Sequence, residues 1–261
     1  MNQEHESIVT QAISWIEESR RVVVFTGAGM SAESGLPTFR GQDGLWQGYH
    51  PQQLATAEAF ERSPEVVRSW YRWRRDLVEK AQPHPGHLAL ANWCLHSNQN
   101  SCVITQNVDG LHQRSGCPDV IELHGSILHD RCHRCGHTST DLDVITCRCG
   151  GGFRPAVVWF GERMPEPEMI RSQQVIDSCE LLIVIGTSAV VHPAAGLIFR
   201  ALDMGASVIE VNPAPVLPAP VVRILGTAID VLPRIFRICS MEEDAGGPVA
   251  GANPDEEEGV Q

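Results

Sequence analysis

The stretch that most limits how this chain can fold is Val22 to Arg40, VVVFTGAGMSAESGLPTFR. Val22 to Phe25 is an apolar run of strand length, suited to burial on both faces of a parallel sheet. Gly27-Ala28-Gly29 ends it. Small residues there let backbone N–H groups approach a ligand, and a helix start just beyond would favour phosphate. Two parts of the usual dinucleotide fingerprint are missing. Ala32 stands where a third glycine belongs, and Tyr49 and His50 stand where an acid would clamp the ribose. Both absences argue against a plain hydride-transfer enzyme, and a turn of this kind can also bind nothing.

The strand does not stand alone. Comparable apolar runs occur at Cys102–Thr105, Val120–Leu123, Val157–Phe160, Leu181–Ile185 and Val208–Val211. Helical patterns lie among them: Ile8–Glu18, a helix started by Ser63-Pro64-Glu65 and stopped near Ala81 by Pro83 and Pro85, then His87–Leu95, Pro167–Ser178 and Pro193–Asp203. Strands alternating with helices predict an open, mainly parallel α/β sheet. At 261 residues the chain holds one large domain, with room for a small insert. The segment from Met241 to Gln261 is acidic, rich in Gly and Pro, and predicted to be disordered.

Charge and cysteine use narrow the function. A net charge of −12 argues against a nucleic-acid-coating surface. No apolar run approaches the roughly 20 residues of a membrane span, and MNQEHESIVT lacks the pattern of a signal peptide. Nine cysteines in such a chain point to a reducing compartment, with the cytoplasm as the expected location. Cys132, Cys135, Cys147 and Cys149 offer four thiolates with the pairing that tetrahedral zinc requires; a redox pair or idle thiols are the alternatives. The second pair is separated by one residue only, so His129, His133 or His137 is an alternative fourth ligand. Four protein ligands leave no open position, so such a zinc is structural.

Several polar groups follow strand ends: Gln106-Asn107-Val108-Asp109, His124, Gly186-Thr187-Ser188 and Asn212. On residue type alone these could be turn formers or surface groups. The helix after Ser63 is more specific. At about 100° per residue its apolar face holds Val67, Trp70, Leu77, Val78 and Ala81, with Arg68, Arg72, Arg75, Asp76 and Glu79 opposite. Tyr71 and Arg74 fall inside the apolar stripe, side by side at i and i+3. An inward Arg is costly unless it meets an anion, either a ligand's carboxylate or an acid of this chain, or snorkels out past Trp70.

Taken together, the motifs resemble those of the sirtuins, the NAD-dependent protein deacylases. The first loop fills every fixed position of GAGxSxxSGxPxFR. TQNVDGLH at Thr105 to His112, LHG at Leu123 to Gly125, VVWFGE at Val157 to Glu162, GTS at Gly186 to Ser188 and VN at Val211-Asn212 follow in order, over residues 8 to 239.

The resemblance implies a Rossmann-like parallel-sheet domain with a small zinc-binding and helical lobe. The catalytic domain would cover 1–240, with its NAD-binding part at 1–40, 85–125 and 156–240 and its lobe at 41–84 and 126–155. It implies NAD contacts at Gly27, Ala28, Gly29, Ser31, Ala32, Thr38, Phe39, Arg40 and Trp46. Further contacts fall at Gln106, Asn107, Asp109, Gly186, Thr187, Ser188, Asn212 and Ala228. Arg40 would meet phosphate, and Asn212 the adenosine ribose. His124 is implied as general base, with Asn107 and Asp109 as its catalytic partners. An acyl-lysine oxygen would attack the anomeric carbon of NAD as nicotinamide leaves. His124 would then activate the ribose hydroxyl that captures the acyl carbon, giving free lysine and O-acyl-ADP-ribose. Val157, Trp159, Phe160 and Gly161 would form a strand edge for the acylated protein or peptide. YxxR at Tyr71 and Arg74, with Ala32 and Thr38, resembles the branch that removes succinyl and malonyl groups. A monomer is expected. A mono-ADP-ribosyltransferase, or a non-catalytic NAD or ADP-ribose-binding module, is the alternative function.

Overall fold

Six short apolar strands build the centre of the molecule, whose computed structural model describes residues 3–38 and 50–236. With the three strands of a smaller sheet they are, in chain order, β1 (Arg21–Thr26), β2 (Asn100–Thr105), β3 (Val120–Glu122), β4 (Gly125–Cys132), β5 (Thr138–Ser139), β6 (Phe153–Val157), β7 (Leu181–Ile185), β8 (Ser207–Val211) and β9 (Val222–Ile224). The helices are α1 (Gln3–Glu18), α2 (Pro51–Leu54), α3 (Ala57–Arg62), α4 (Pro64–Lys80), α5 (Pro85–His96), α6 (Leu111–Arg114), α7 (Glu166–Ser178), α8 (Ala194–Asp203) and α9 (Ala228–Ile235).

The main sheet has the order β3-β2-β1-β7-β8-β9 with every pair parallel. Alternation along β1 sends Val22 and Val24 into a core with Val9, Ile16, Leu90 and Leu232. Val23 and Phe25 enter the opposite core with Ile176 and Ile198. A strand covered on both faces must read as a continuous apolar run, and β1 and β7 do. The chain's direction across the sheet reverses between them. In such sheets ligands bind at the carboxyl ends beside that reversal.

The second sheet is small and antiparallel, ordered β5-β4-β6. A third core joins it to α2, α3 and α4 through Leu54, Phe60, Val67, Trp70, Tyr71, Ile127 and Trp159. No helix among the described residues is long and apolar enough to cross a membrane.

Several sequence expectations need correction. The predicted Val157–Phe160 strand lies earlier, at Phe153–Val157, and pairs in the small sheet. No α-helix follows Gly29; two three-residue 3-10 turns, Ala28–Met30 and Ala32–Ser34, stand there instead. Ser63 sits at the N-cap of α4 without a side-chain capping bond. Pro85 starts α5 rather than only ending α4, and the His84 imidazole accepts from the Gly86 N–H at 2.9 Å. Arg68 and Arg75, on the helix face opposite the apolar stripe, reach the small sheet. Arg68 Nε donates to the Phe153 carbonyl, and Arg75 Nε donates to that of Ile127 at 2.7 Å. Their long stems let fixed-fork donors satisfy carbonyls that the short strands leave open. Phe39, Arg40, Trp46 and the acidic segment from Met241 fall outside the described residues.

Candidate active site

At the reversal between β1 and β7 the two strand ends are stitched together through glycines. The Gly27 N–H donates to the Ile185 carbonyl at 3.0 Å and the Gly29 N–H to the Gly186 carbonyl at 2.8 Å. Gly186 has φ +57°, and a Cβ there would lie 2.5 Å from the Gly29 carbonyl carbon. A Cβ on Gly29 would lie 2.7 Å from the Gly186 Cα. The glycines therefore serve first to let two loops touch, and the open face of that collar looks into a cavity of about 1180 Å³. This exceeds the roughly 300–1,000 Å³ of an ordinary ligand pocket and fits a dinucleotide together with a second substrate.

The cavity wall brings together Gly27, Ala28, Gly29, Ala32 and Thr38 from the first loop. Gln106, His124, Gly186, Thr187, Ser188, Asn212 and Ala228 complete this end of it. Ser31 and Asp109 line a small adjoining recess with Arg74. Asn107 lines neither; its amide donates to the Gly27 carbonyl at 3.0 Å and to Ser31 Oγ at 3.2 Å. Ser31 Oγ donates in turn to Asp109 Oδ2 at 2.8 Å, and the Leu111 N–H to Asp109 Oδ1 at 2.9 Å. Burial pushes the Asp109 carboxyl up, and those two donors pull it back. Asn212 donates to the Thr187 carbonyl at 2.9 Å and Gln106 to Thr187 Oγ1 at 3.0 Å, so the polar residues brace one another from four strand ends.

His124 sits half-buried between β3 and β4. Its Nδ1 lies 2.9 Å from the Gln106 carbonyl oxygen. A carbonyl only accepts, so Nδ1 carries the proton and Nε2 keeps a free lone pair. Burial lowers the imidazole pKa, against the opposing pull of the Gln106 carbonyl, so the ring is neutral at pH 7. A neutral imidazole with a free Nε2 facing a cavity has the lone pair that proton removal requires. Gly125 follows it with φ +73°, which no residue bearing a Cβ could share: that atom would lie 2.1 Å from the Ala156 carbonyl.

The other end of the cavity is walled by Tyr71, Arg74, Val157, Trp159, Phe160 and Gly161. Tyr71 is 2% exposed and Arg74 8%, as their place in the apolar stripe of α4 predicts. Burial pulls the Arg74 guanidinium down, offset by Tyr71 and Asp109; burial pushes the Tyr71 phenol up and keeps it protonated. Trp159 Nε1 donates to the Tyr71 oxygen at 2.8 Å. The backbone past Val157 is not a free edge. The Val158 N–H donates to the His124 carbonyl and that of Phe160 to the Ala55 carbonyl, both at 2.9 Å. The Phe160 ring is 51% exposed.

Away from the cavity, Cys132, Cys135, Cys147 and Cys149 gather with all four sulfurs within 4.8 Å of one another. Two of the spacings, Cys132–Cys149 at 3.5 Å and Cys135–Cys147 at 3.7 Å, match the edge of a tetrahedron with metal–sulfur bonds of about 2.3 Å. Both members of the second pair belong to the cluster, and His129, His133 and His137 do not. The set fits a closed structural zinc.

Sequence reasoning missed part of the wall: Met164, Val190, Val191, His192 and Val216 line the cavity. They follow β6, β7 and β8 in irregular segments, where no periodicity marks them. It also missed Arg154, which is 2% exposed and stacks 3.7 Å from the Trp159 ring centroid while bonding Glu162.

Comparison with known proteins follows the same lines. The model of the Sir2 family matches residues 27–193. The NAD-dependent protein deacylase 2 of Pyrobaculum aerophilum is 46% identical over 228 residues, covering 84% of this chain and 91% of its own. The NAD-dependent protein deacylase of Aquifex aeolicus is 51% identical over 203 residues, covering 75% and 84%. A solved Sir2 homologue–NAD complex is similar with a TM-score of 0.79 at 40% identity, covering 87% of this chain and 92% of that one.

Proposed function

This chain belongs to the Sir2 family of NAD-dependent protein deacylases, and on that premise we propose that it removes acetyl, succinyl and malonyl groups from lysine side chains. With one water consumed and the amide C–N bond broken as lysine leaves, the products are free lysine, nicotinamide and O-acyl-ADP-ribose. One observation carries the acidic-acyl part: Tyr71 and Arg74, nearly fully buried, line the same cavity as His124. A guanidinium in an apolar wall favours an acyl group that ends in a carboxylate.

When bound, NAD supplies an anomeric carbon with nicotinamide as its leaving group. The glycine collar and the Gly186–Ser188 turn hold the phosphates, and Asn212 holds the adenosine ribose. Asn107 and Asp109, with Ser31 and Gln106, fix the walls around the nicotinamide end. His124 takes the proton at Nε2 from the hydroxyl that captures the acyl carbon, while its Nδ1–H stays on the Gln106 carbonyl. Phe160 and Gly161 shape the mouth for the lysine stem. The four cysteines hold zinc and keep β4 and β6 together, next to His124. The same reading divides the domain into an NAD-binding part (1–40, 85–125 and 156–240) and a lobe (41–84 and 126–155).

Rates of lysine release from one peptide carrying acetyl, malonyl or succinyl groups, with NAD, test this reading. The expected result is a kcat/KM on succinyl or malonyl peptide at or above that on acetyl peptide. Activity on acetyl peptide alone would overturn the acidic-acyl part.

A further inference from the structure

Among the described residues, the hydrogen bond made by the Tyr71 hydroxyl is one that it accepts. The indole Nε1–H of Trp159 donates to its oxygen at 2.8 Å, and the Arg74 guanidinium carbon lies 5.5 Å from the centroid of the same ring. Neither group can accept. A phenol oxygen has two in-plane directions, one for its proton and one for an incoming donor. With the indole occupying one, the O–H must point along the other. Among the described residues no acceptor meets it there. A buried donor without an acceptor is costly, and this one lines the cavity, so the acceptor it lacks is one a ligand would bring.

The indole is itself held firmly. The Arg154 guanidinium carbon lies 3.7 Å from the Trp159 ring centroid. Arg154 also donates to the Val157 carbonyl at 3.0 Å and to the Glu162 carboxylate. Glu162 accepts from the Trp159 backbone N–H at 2.9 Å and from Arg131 at 2.7 Å. Arg131 and Arg154 face each other as Cα partners across β4 and β6. Two like charges in that relation repel, and Glu162 is the anion that lets them stay. Neither Arg154 nor Glu162 hydrogen-bonds Tyr71; both act on it through their charge, and their packing contact with it runs through the indole.

We propose that Trp159 determines specificity by fixing the Tyr71 hydroxyl as a donor, so that the site selects acyl groups whose far end is a hydrogen-bond acceptor. Arg154 and Glu162 are positioning residues for the indole. The proposal rests on the acidic-acyl reading of the site, and it adds why Trp rather than another aromatic stands at 159. A phenylalanine there would fill the same wall and leave the hydroxyl proton free to turn away.

The test is a double-mutant cycle read as the ratio of kcat/KM on succinyl-lysine peptide to that on acetyl-lysine peptide. A ratio taken on one preparation is unaffected by the fraction of enzyme that folds. Trp159→Phe is expected to lower the ratio at least tenfold, mainly through a higher KM for the succinyl peptide, and Tyr71→Phe to lower it similarly. In the double variant the ratio should fall no further than in Tyr71→Phe alone, because the indole acts through that hydroxyl. An unchanged ratio in Trp159→Phe, or additive losses in the double variant, would overturn the proposal. Arg74→Met separates the two levels. If it collapses the ratio while Trp159→Phe does not, only the indole's role fails. If wild-type enzyme does not desuccinylate, or Arg74→Met leaves the ratio unchanged, the acidic-acyl reading fails and the indole's role goes with it.

Discussion

The two ends of the cavity are made of different material. At the β1–β7 end the walls are backbone: glycines in mutual contact, carbonyls and N–H groups paired across strand ends, and side chains tied to that backbone within one or two bonds. At the α4 end the walls are side chains held by other side chains, from Arg131 through Glu162, Arg154 and Trp159 to Tyr71. A backbone wall has few ways to vary without losing the fold. A side-chain wall can change one group and keep its shape. The difference teaches where general chemistry and substrate choice reside: the first end should act on every acyl substrate alike, and the second should discriminate among them.

The largest expected effect breaks the first end without touching its fold. His124→Ala should cut lysine release from acetyl and succinyl peptides alike, by about 10²–10⁴-fold, the usual worth of a positioned base. The pH profile sharpens the same point. Burial lowers the His124 pKa, so the neutral base survives below pH 6.5 and the acid limb of kcat/KM should have its midpoint below that value. A midpoint above 6.5 would mean that another group governs the limb.

Gly186→Ala comes next. It places a Cβ 2.5 Å from the Gly29 carbonyl carbon at a φ of +57°. Denaturant unfolding should show a loss of about 2–4 kcal/mol, with a raised KM for NAD on both peptides. Unchanged stability would mean that the collar yields more easily than its contacts imply.

The smallest effect lies beneath the collar, where His84, His87 and His112 pack in a file with ring centroids 4.2 and 5.3 Å apart. Burial lowers His87 to about 2 and His112 to about 4. The unfolded chain takes up those protons below pH 6.5, so their contribution to stability is whole above that pH and lost as pH falls toward 4 and below. Each costs about 1.4 kcal/mol per pH unit in that range. His87→Leu should flatten the fall between pH 6.5 and 4.5 by about that slope in denaturant unfolding; an identical slope in both proteins would place the proton uptake elsewhere.

The backbone end was the more legible in sequence. β1, β2, β7 and β8 read directly because burial on both faces demands uninterrupted apolar residues, and the glycines mark where two loops must touch. β9 did not, because Val222-Arg223-Ile224 is three residues long with a charge at its middle. α9 was hidden by Pro233, which reads as a breaker yet lies inside the helix. In the lobe the cysteine spacing was enough to find the four thiols. The path of β6 was not found, because Arg154 and Pro155 sit within it and most of the stronger apolar signal, Val158–Phe160, belongs to the segment that follows. Tyr71 and Arg74 were found from the helical projection. Their neighbours Trp159, Arg154 and Glu162 meet them through contacts across the chain, and no local pattern encodes such contacts.

Arg74→Met, assayed on acetyl and succinyl versions of one peptide, tests the separation of the two ends most directly. A buried charged hydrogen bond is worth about 2–4 kcal/mol, so kcat/KM for desuccinylation should fall by roughly 30- to 1,000-fold while deacetylation changes far less. Equal losses on both peptides would show that Arg74 only supports the fold, and that acyl choice is not made at the α4 end.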